Sequence, residues 1–250
     1  MSIIKLYTKY LFIIISFIFP LLINAQKNAS MPNQWAENWL SGNYSLKLNN
    51  QWKFSFEEQL RLKYVNKFYD RSFSEFRIEN FLLNQCSWGV AYRHIFKSHE
   101  FEERTVHYKR FNYYISQKWN VNRIAFKYRI QYQTKREVLA NTNKHVSELR
   151  KYWRLKTSVS YNIKNWKLDP NMGVEFFVRG VNHPTDQYNK YRISLGTKYK
   201  INKNQNIRFK YMFEKQYKGW NPDLIHALSI QYNYCFKHKT KNYKDNKNEE

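Results

Sequence analysis

Residues 52–64, WKFSFEEQLRLKY, alternate between large apolar and polar side chains. Apart from Glu58, one set is apolar: Trp52, Phe54, Phe56, Leu60, Leu62 and Tyr64. The other set is polar: Lys53, Ser55, Glu57, Gln59, Arg61 and Lys63. Successive side chains of a strand point to opposite faces, whereas a helix would mix the two sets. The stretch therefore predicts a β-strand with one apolar and one polar face.

The same alternation recurs along the chain and predicts an all-β protein. Eleven strand candidates follow, at residues 37–48, 52–64, 71–82, 88–96, 106–118, 123–136, 149–163, 166–179, 190–201, 206–215 and 224–236. Strands of globular proteins average about 5 to 6 residues, whereas a tilted strand that crosses a bilayer needs about 9 to 11. The lengths of these candidates favour an antiparallel transmembrane β-barrel.

The connections between the strands differ in length. Short, mostly Asn-containing turns lie at residues 49–50, 84–85, 120–122, 164–165 and 202–205, and longer links lie at 97–105, 137–148, 180–189 and 216–223. Outer-membrane barrels have short periplasmic turns and longer external loops, although the link at 65–70 is a short exception here. Four tryptophans beside the short turns are predicted membrane-interface aromatics: Trp52, Trp88, Trp119 and Trp166.

The chain ends predict a secreted protein. Residues 1–25 contain two lysines followed by an apolar run that ends at Ala25, which is typical of a cleaved signal peptide; an uncleaved anchor is the alternative. If the last strand ends on the periplasmic side, a barrel of eleven strands over 37–236 would begin on the external side, whereas a secreted chain should begin in the periplasm. Residues 26–36 are therefore expected to add a strand or to lie in the lumen, unless one of the eleven candidates is wrongly divided. We therefore expect twelve strands, within a range of ten to twelve. The Lys-rich tail 237–250 is predicted to be disordered.

Strand alternation also predicts which charged side chains face the lumen. These candidates are Glu57, Arg61, Glu75, Arg77, Glu79, Lys127, Arg129, Arg154, Glu175, Arg179, Arg192, Arg208 and Glu214. Salt bridges between neighbouring strands are one interpretation, and an anion-selecting lumen is the other. The whole chain has 43 Lys and Arg against 19 Asp and Glu, which favours anionic partners. The basic residues are spread along the chain rather than clustered, so we expect no nucleic acid partner.

Motifs for catalysis and metal binding are absent from the sequence. There is no GxGxxG, GxxxxGK[ST], HExxH, GxSxG or CxxC, so we expect no enzyme activity, no cofactor and no metal site. Cys86 and Cys235 are too few for a disulfide framework. A lipid-modifying enzyme is the alternative, with His94 near Ser98 and Glu102.

Several segments resemble DUF2490, a family of uncharacterised secreted proteins of Bacteroidota. They are QWAENWLSGNYSLKLNNQWKFSFEEQLRLK from residue 34, WGVAYRHIF from 88, NRIAFKYRIQYQTKRE from 122, PNMGVEFFV from 170 and YRISLGTKYKINKNQNIRFKYMFE from 191. The resemblance covers nearly all of 34–236 and implies an outer-membrane β-barrel, with no established reaction. The Lys-rich tail departs from it.

Together these features predict an outer-membrane barrel, either structural or a narrow channel or binding lumen for small anions. Its expected partners are outer-membrane lipids, lipopolysaccharide and the barrel-assembly machinery. A soluble periplasmic β-barrel that binds a ligand is a further alternative, but such a barrel would keep an apolar interior.

Overall fold

The computed structural model describes residues 34–63, 69–82, 85–99, 104–138, 149–179, 190–216 and 224–237. Their strands are β1 (Gln34–Lys47), β2 (Trp52–Lys63), β3 (Tyr69–Phe81), β4 (Cys86–His99), β5 (Arg104–Val121), β6 (Ile124–Val138), β7 (Arg150–Tyr161), β8 (Leu168–Arg179), β9 (Lys190–Lys200), β10 (Gln205–Gln216) and β11 (Leu224–Lys237). The predicted signal peptide lies outside the described residues, as do most of 26–36 and of the tail 237–250. Residues 34–36 belong to β1, and Lys237 ends β11.

The strands form one closed barrel in chain order. Consecutive strands pair antiparallel, and β1 pairs with β11 in parallel from Gln34 opposite Leu224 to Lys47 opposite Lys237. The favoured number of twelve strands is wrong for this barrel, which closes with eleven, a number within the expected range of ten to twelve. The twelfth strand is expected only if the chain begins and ends on the periplasmic side, but parallel strands also form a complete hydrogen-bonded ladder, and an odd number of strands can then close.

The two faces of the barrel wall have opposite polarity. Large apolar side chains are exposed on the outer face of ten of the eleven described strands, among them Leu40, Phe54, Phe76, Ile115, Ile130, Leu155, Met172, Leu195, Phe209 and Ile230. The inner face buries polar and charged groups, among them Glu75, Glu79, Asn112, Gln131, Glu175 and Glu214. This is the arrangement expected of a barrel surrounded by lipid. None of the described residues forms a helix that could cross a membrane.

Glu58 is a charged residue on the otherwise apolar outer face of β2. This side chain is exposed on β2, and its neighbours in register are Gly42 on β1 and Ser74 on β3. The sequence pattern identified Glu58 as a break in the apolar face, and the structure places it on that face.

The two ends of the barrel differ in the length of their connections. The strand bounds leave two to six residues in each connection at one end, here called the short-turn end, and four to eleven at the other, the long-loop end. Asparagines build the short turns. The Asn49 side chain accepts hydrogen bonds from the backbone of Gln51 and Trp52 at 2.9 and 2.8 Å. Asn122 and Asn165 adopt positive φ angles of 52° and 60°, which asparagine tolerates better than most residues.

Gly196 on β9 allows its backbone to approach β10 closely. A Cβ atom at Gly196 would lie 2.4 Å from the carbonyl oxygen of Phe209, which is part of the sheet backbone and cannot turn away. Gly196→Ala is therefore expected to lower the free energy of unfolding by about 1 to 3 kcal/mol, as overpacking does. Urea titration followed by tryptophan fluorescence measures this change.

Gly42→Ala is the matched control for Gly196→Ala. A Cβ atom at Gly42 would meet only the Tyr44 ring, at 3.5 Å, which is ordinary van der Waals contact. The control is expected to have the same midpoint urea concentration of unfolding as the wild type, or a slightly higher one. Equal stability of the two variants would contradict the close approach of β9 and β10.

Candidate functional site: the charged interior of the barrel

The interior face of the barrel is the candidate functional site. Strand alternation and register place all thirteen predicted lumen candidates on this face: Glu57, Arg61, Glu75, Arg77, Glu79, Lys127, Arg129, Arg154, Glu175, Arg179, Arg192, Arg208 and Glu214. They come from seven of the eleven strands, β2, β3 and β6–β10. Because neighbouring inward positions are directly opposite in register, they form connected clusters rather than isolated charges.

Glu75 on β3 is the centre of the first cluster. Its side chain is 2% exposed. Oε2 accepts a hydrogen bond from Arg93 Nε at 2.6 Å and lies 3.8 Å from Arg110 Nη2, and Oε1 contacts Arg77. Asn112 Nδ2 also donates to Oε2 at 3.4 Å. Three guanidinium groups therefore share one buried carboxylate.

Glu175 and Glu214 form the second cluster, on the opposite arc of the wall. Arg154 Nη2 donates to Glu175 at 2.6 Å, and Arg192 Nη1 lies 3.4 Å from the same carboxylate. Arg192 also donates through Nε to Glu214 at 2.9 Å, and Lys190 Nζ donates to the other oxygen of Glu214 at 2.5 Å. Arg192 thus bridges the two carboxylates.

Arginine side chains stacked on aromatic rings connect the two clusters across β1 and β2. The guanidinium of Arg61 lies 3.6 Å from the centre of the Trp39 ring, and that of Arg192 lies 5.1 Å from the same ring. Arg93 stacks 3.5 Å from the centre of Phe73. Cations over aromatic faces are attracted by the ring quadrupole. These contacts extend from β9 through β1 to β4, so they hold the inner side chains in a belt.

Four cations further towards the short-turn end form no salt bridge among the described residues. Within the part of the chain that the structure describes, no carboxylate oxygen lies within 4 Å of Arg129, Lys156, Arg208 or Lys210. All four line the same cavity. Lys156 is directly opposite Glu175 in register, and Lys210 lies within electrostatic range of Lys156 and Arg208 and of two carboxylates, Glu175 and Glu57. Arg129 stacks 4.4 Å from the Tyr114 ring centre, and its Nε has no hydrogen-bond partner in the described part of the chain. These groups would favour an anion in the cavity.

The cavity enclosed by the barrel has a volume of about 510 Å³. Its wall includes sixteen basic side chains: Arg61, Arg71, Arg77, Arg93, Lys97, Arg110, Arg129, Lys135, Arg150, Arg154, Lys156, Arg179, Lys190, Arg192, Arg208 and Lys210. It includes two acidic ones, Glu57 and Glu75. Glu175 and Glu214 add negative charge to the inner face but do not line the cavity. The surface that a solute would contact is therefore strongly basic.

Sequence reasoning missed several interior cations, among them Arg71, Arg93, Arg110 and Lys190. Two of them, Arg93 and Arg110, lie on β4 and β5, and both faces of these strands include aromatic and basic residues. On β5, Tyr108 and Arg110 face inward while Lys109 and Phe111 face outward. Glu75 faces the lumen, Arg93 is its partner in register, and Arg110 is the partner of Arg93, so the register would have identified both arginines as lumen-facing. The register, however, is a property of the assembled sheet.

The four predicted interface tryptophans all lie at the short-turn end. The rings of Trp52 and Trp88 meet edge to face at 6.0 Å, and Trp119 contacts Tyr128 at 5.1 Å. Trp166 lies in the turn between β7 and β8 and is exposed.

The histidines whose surroundings are described contact aromatic side chains on the outer face. His94 Nε2 lies 3.3 Å from His107 Nδ1, and its Nδ1 lies 3.4 Å from the Tyr92 hydroxyl. Tyr211 and His226 share a hydrogen bond of 2.6 Å. The predicted approach of Glu102 to His94 lies outside the described residues.

Metal ligands and disulfides contribute nothing to the described site. Cys86 and Cys235 are free thiols. Among the described residues, no group of three or more His, Cys, Asp or Glu side chains could hold a metal ion.

The fold and its interior define a class of protein, a closed β-barrel with an apolar outer wall and a basic lumen. The chain belongs to the family described as "Protein of unknown function (DUF2490)", which matches residues 36–223. The resemblance seen in the sequence is thereby confirmed. No curated protein matches the chain.

The solved structures that are similar to this chain include the following three. The NanC porin has a TM-score of 0.47 and 12% identity, over 71% of this chain and 85% of the porin. The β domain of the Bordetella autotransporter BrkA has a TM-score of 0.44 and 7% identity, over 75% and 85%. Outer-membrane expressed OmpT of Vibrio cholerae has a TM-score of 0.38 and 8% identity, over 66% and 54%. At these values the functions of the three proteins do not transfer to this chain.

Proposed function

We propose that the protein is an outer-membrane β-barrel whose lumen takes up and conducts small anions. The observation that supports this most directly is the composition of the cavity wall, where sixteen Lys and Arg face two Glu. Rings of basic side chains attract anions and repel cations in narrow pores. The proposed contact points are the four cations that form no salt bridge among the described residues, namely Arg129, Lys156, Arg208 and Lys210.

Placement in the outer membrane is supported by the outer wall. Exposing so many apolar side chains to water would be unfavourable in free energy. A continuous apolar surface of this extent therefore indicates contact with lipid or another apolar phase. A closed barrel is also one of the two structures that satisfy every backbone hydrogen bond in a bilayer. The proposed orientation has the short-turn end in the periplasm and the long-loop end outside.

Salt bridges alone do not account for the interior. Glu75, Glu175 and Glu214 offset the charge of the belt, and a purely structural lumen would be expected to neutralise the remaining cations as well. Arg129 and Lys210 instead face a cavity large enough for several water molecules or a small solute.

Ion selectivity in a planar bilayer tests this proposal. With a tenfold KCl gradient, the wild-type protein is expected to give a reversal potential of the sign that indicates chloride permeation. The variant Arg129→Gln/Lys156→Gln/Lys210→Gln is expected to shift the reversal potential towards zero, because the selecting charges are removed.

Lys215→Gln is the control for the selectivity measurement, since Lys215 lies on the outer face of β10. It removes a positive charge without changing the lumen, so its reversal potential should equal that of the wild type. Cation selectivity of the wild type would overturn the proposal. Absence of conductance from a correctly folded sample would leave a closed barrel with a structural role.

A further inference from the structure

Two rows of inward-facing side chains cross the parallel seam at which the barrel closes. Each row runs from β2 through β1 and β11 to β10, and each side chain lies opposite the next one in register. The first row is Arg61, Trp39, Ser229 and Lys210, and the second is Gln59, Ser41, Gln231 and Arg208. All of these side chains line the cavity. We call the two rows the seam panel.

The cations of the seam panel lie on its first and last strands, β2 and β10. Ser41, Ser229 and Gln231 lie between them, on β1 and β11, and contribute two hydroxyl groups and an amide. Neighbouring strands are about 4.8 Å apart, so the backbones of β2 and β10 are about 14 Å apart along the panel. A solute on the panel would therefore meet a cation on either side and uncharged hydrogen-bonding groups between them.

The uncharged groups of the seam panel have unused hydrogen-bonding capacity. Ser41 Oγ is buried and has no hydrogen-bond partner among the described residues. Gln59 uses its Oε1 to accept a hydrogen bond from Arg61 Nε at 2.8 Å, which leaves its amide N–H groups as donors. Gln231 accepts a hydrogen bond from Asn233 through its backbone carbonyl and not through its side chain. Such groups are satisfied by water or by the hydroxyl groups of a solute in the cavity.

The amides on the opposite wall of the cavity belong to the salt-bridge clusters instead. On β5 and β6, Gln131 Nε2 donates to Asn112 Oδ1 at 3.0 Å, and Asn112 Nδ2 donates to Glu75. Gln133 Oε1 accepts a hydrogen bond from Arg154 at 3.2 Å. These amides support the charged groups around Glu75 and Arg154, whereas the seam panel lies outside both clusters.

Arg61 provides the contact for an anionic group on β2. Its guanidinium lies over the Trp39 ring, and its Nε is used by Gln59. Within the described strands, no carboxylate oxygen lies within 4 Å of this guanidinium, so its Nη groups remain for a ligand. A guanidinium presents paired N–H donors that match the two oxygens of a carboxylate.

We propose that the seam panel binds a hydroxylated carboxylate, with the carboxylate at Arg61 and the hydroxyl groups against the polar side chains of β1 and β11. An alkyl carboxylate would leave those polar side chains unpaired, which favours the hydroxylated anion. This inference rests on the anion-conducting lumen proposed above and names the class of anion that the lumen takes up.

Calorimetric titration of the full-length protein in detergent micelles tests the seam panel with three small probes. Threonate carries a carboxylate and hydroxyl groups, butyrate has the same chain length and carboxylate without hydroxyl groups, and threitol has hydroxyl groups without charge. The wild type is expected to bind threonate about tenfold more tightly than butyrate, because butyrate cannot satisfy the hydroxyl and amide groups. Threitol should bind most weakly, since it has no charge for Arg61. Binding of threitol as tight as that of threonate would overturn the assignment of the carboxylate to Arg61.

Ser41→Ala/Gln231→Leu removes a hydroxyl group and an amide from the middle of the seam panel and retains its cations. Threonate is expected to bind this variant as weakly as butyrate does, while butyrate binding stays within about twofold of the wild type and shows that the variant is folded. Gln133→Leu is the matched control, because it makes the same amide-to-leucine change on the opposite wall of the same cavity. This control should keep the preference of about tenfold for threonate.

The outcomes separate the seam panel from the anion-conducting lumen. Equal binding of threonate and butyrate by the wild type would overturn the panel, even in a protein that conducts chloride in a bilayer. An undiminished preference for threonate in Ser41→Ala/Gln231→Leu would overturn it as well. Binding of neither anion, together with cation selectivity in the bilayer, would overturn both the lumen and the panel.

Discussion

Glu75→Gln is expected to lower the free energy of unfolding by about 3 to 5 kcal/mol, which is the usual cost of removing one partner of a buried ion pair. Glu75 is the carboxylate that Arg77, Arg93 and Arg110 share, and its side chain is almost completely buried. The neutral amide retains the size of the side chain and some hydrogen bonds, but it leaves three guanidinium groups without their shared counter-charge.

Urea titration of the protein in lipid vesicles, followed by tryptophan fluorescence, measures this loss. Glu58→Gln is the matched control, because it makes the same chemical change on the outer face of the adjacent strand, where the structure places no cation opposite it. The control is expected to be as stable as the wild type or more stable, since a charge facing lipid is unfavourable. Equal losses in the two variants would contradict the assigned faces of β2 and β3.

Ile130→Arg is expected to destabilise the membrane-inserted barrel by about 2 to 4 kcal/mol. Ile130 lies near the middle of β6, is 57% exposed, and has Ile115 and Leu155 as its register neighbours on the same outer face. A guanidinium at this position would meet hydrocarbon and would have no neighbouring carboxylate. The expected loss applies to a barrel in a bilayer; in a soluble barrel the same side chain would face water.

Two further substitutions on β6 test how the loss of stability depends on depth in the membrane. Ile124→Arg changes the first residue of the strand, at the short-turn end, and is expected to cost about 0 to 1 kcal/mol because the charge can reach the interface. Phe126→Arg should give an intermediate loss. A flat series, with the three variants equally stable in vesicles, would show that the outer face of β6 does not contact lipid.

Most of the strands could be predicted from the sequence because the relevant signal is local. The alternation in 52–64 corresponds to β2, and each of the other ten candidates overlaps one observed strand. The faces followed from the same alternation wherever one face was clearly apolar, as on β2 and β10. On β4 and β5 the two faces have similar compositions, so Arg93 and Arg110 were missed.

The strand number could not be obtained in this way. The inference of a twelfth strand came from the direction of β1 relative to β11, and the direction was correct: the two strands run parallel. What the pattern could not show is that this parallel pair closes the barrel. Residues 34–47 and 224–237 are far apart in sequence, and their pairing is set by the curvature and register of all the intervening strands.

The sequence by itself determined the all-β class, the strand positions, an apolar outer wall and a basic inner face, because a period of two is a property of each strand alone. Only the tertiary structure decided that eleven strands close through a parallel pair, that Glu75 forms salt bridges with three arginines, and that Lys109 and Arg136 are adjacent on the outer face. These features depend on the register between strands, which fixes the opposite partner of every side chain and is not encoded within any single segment.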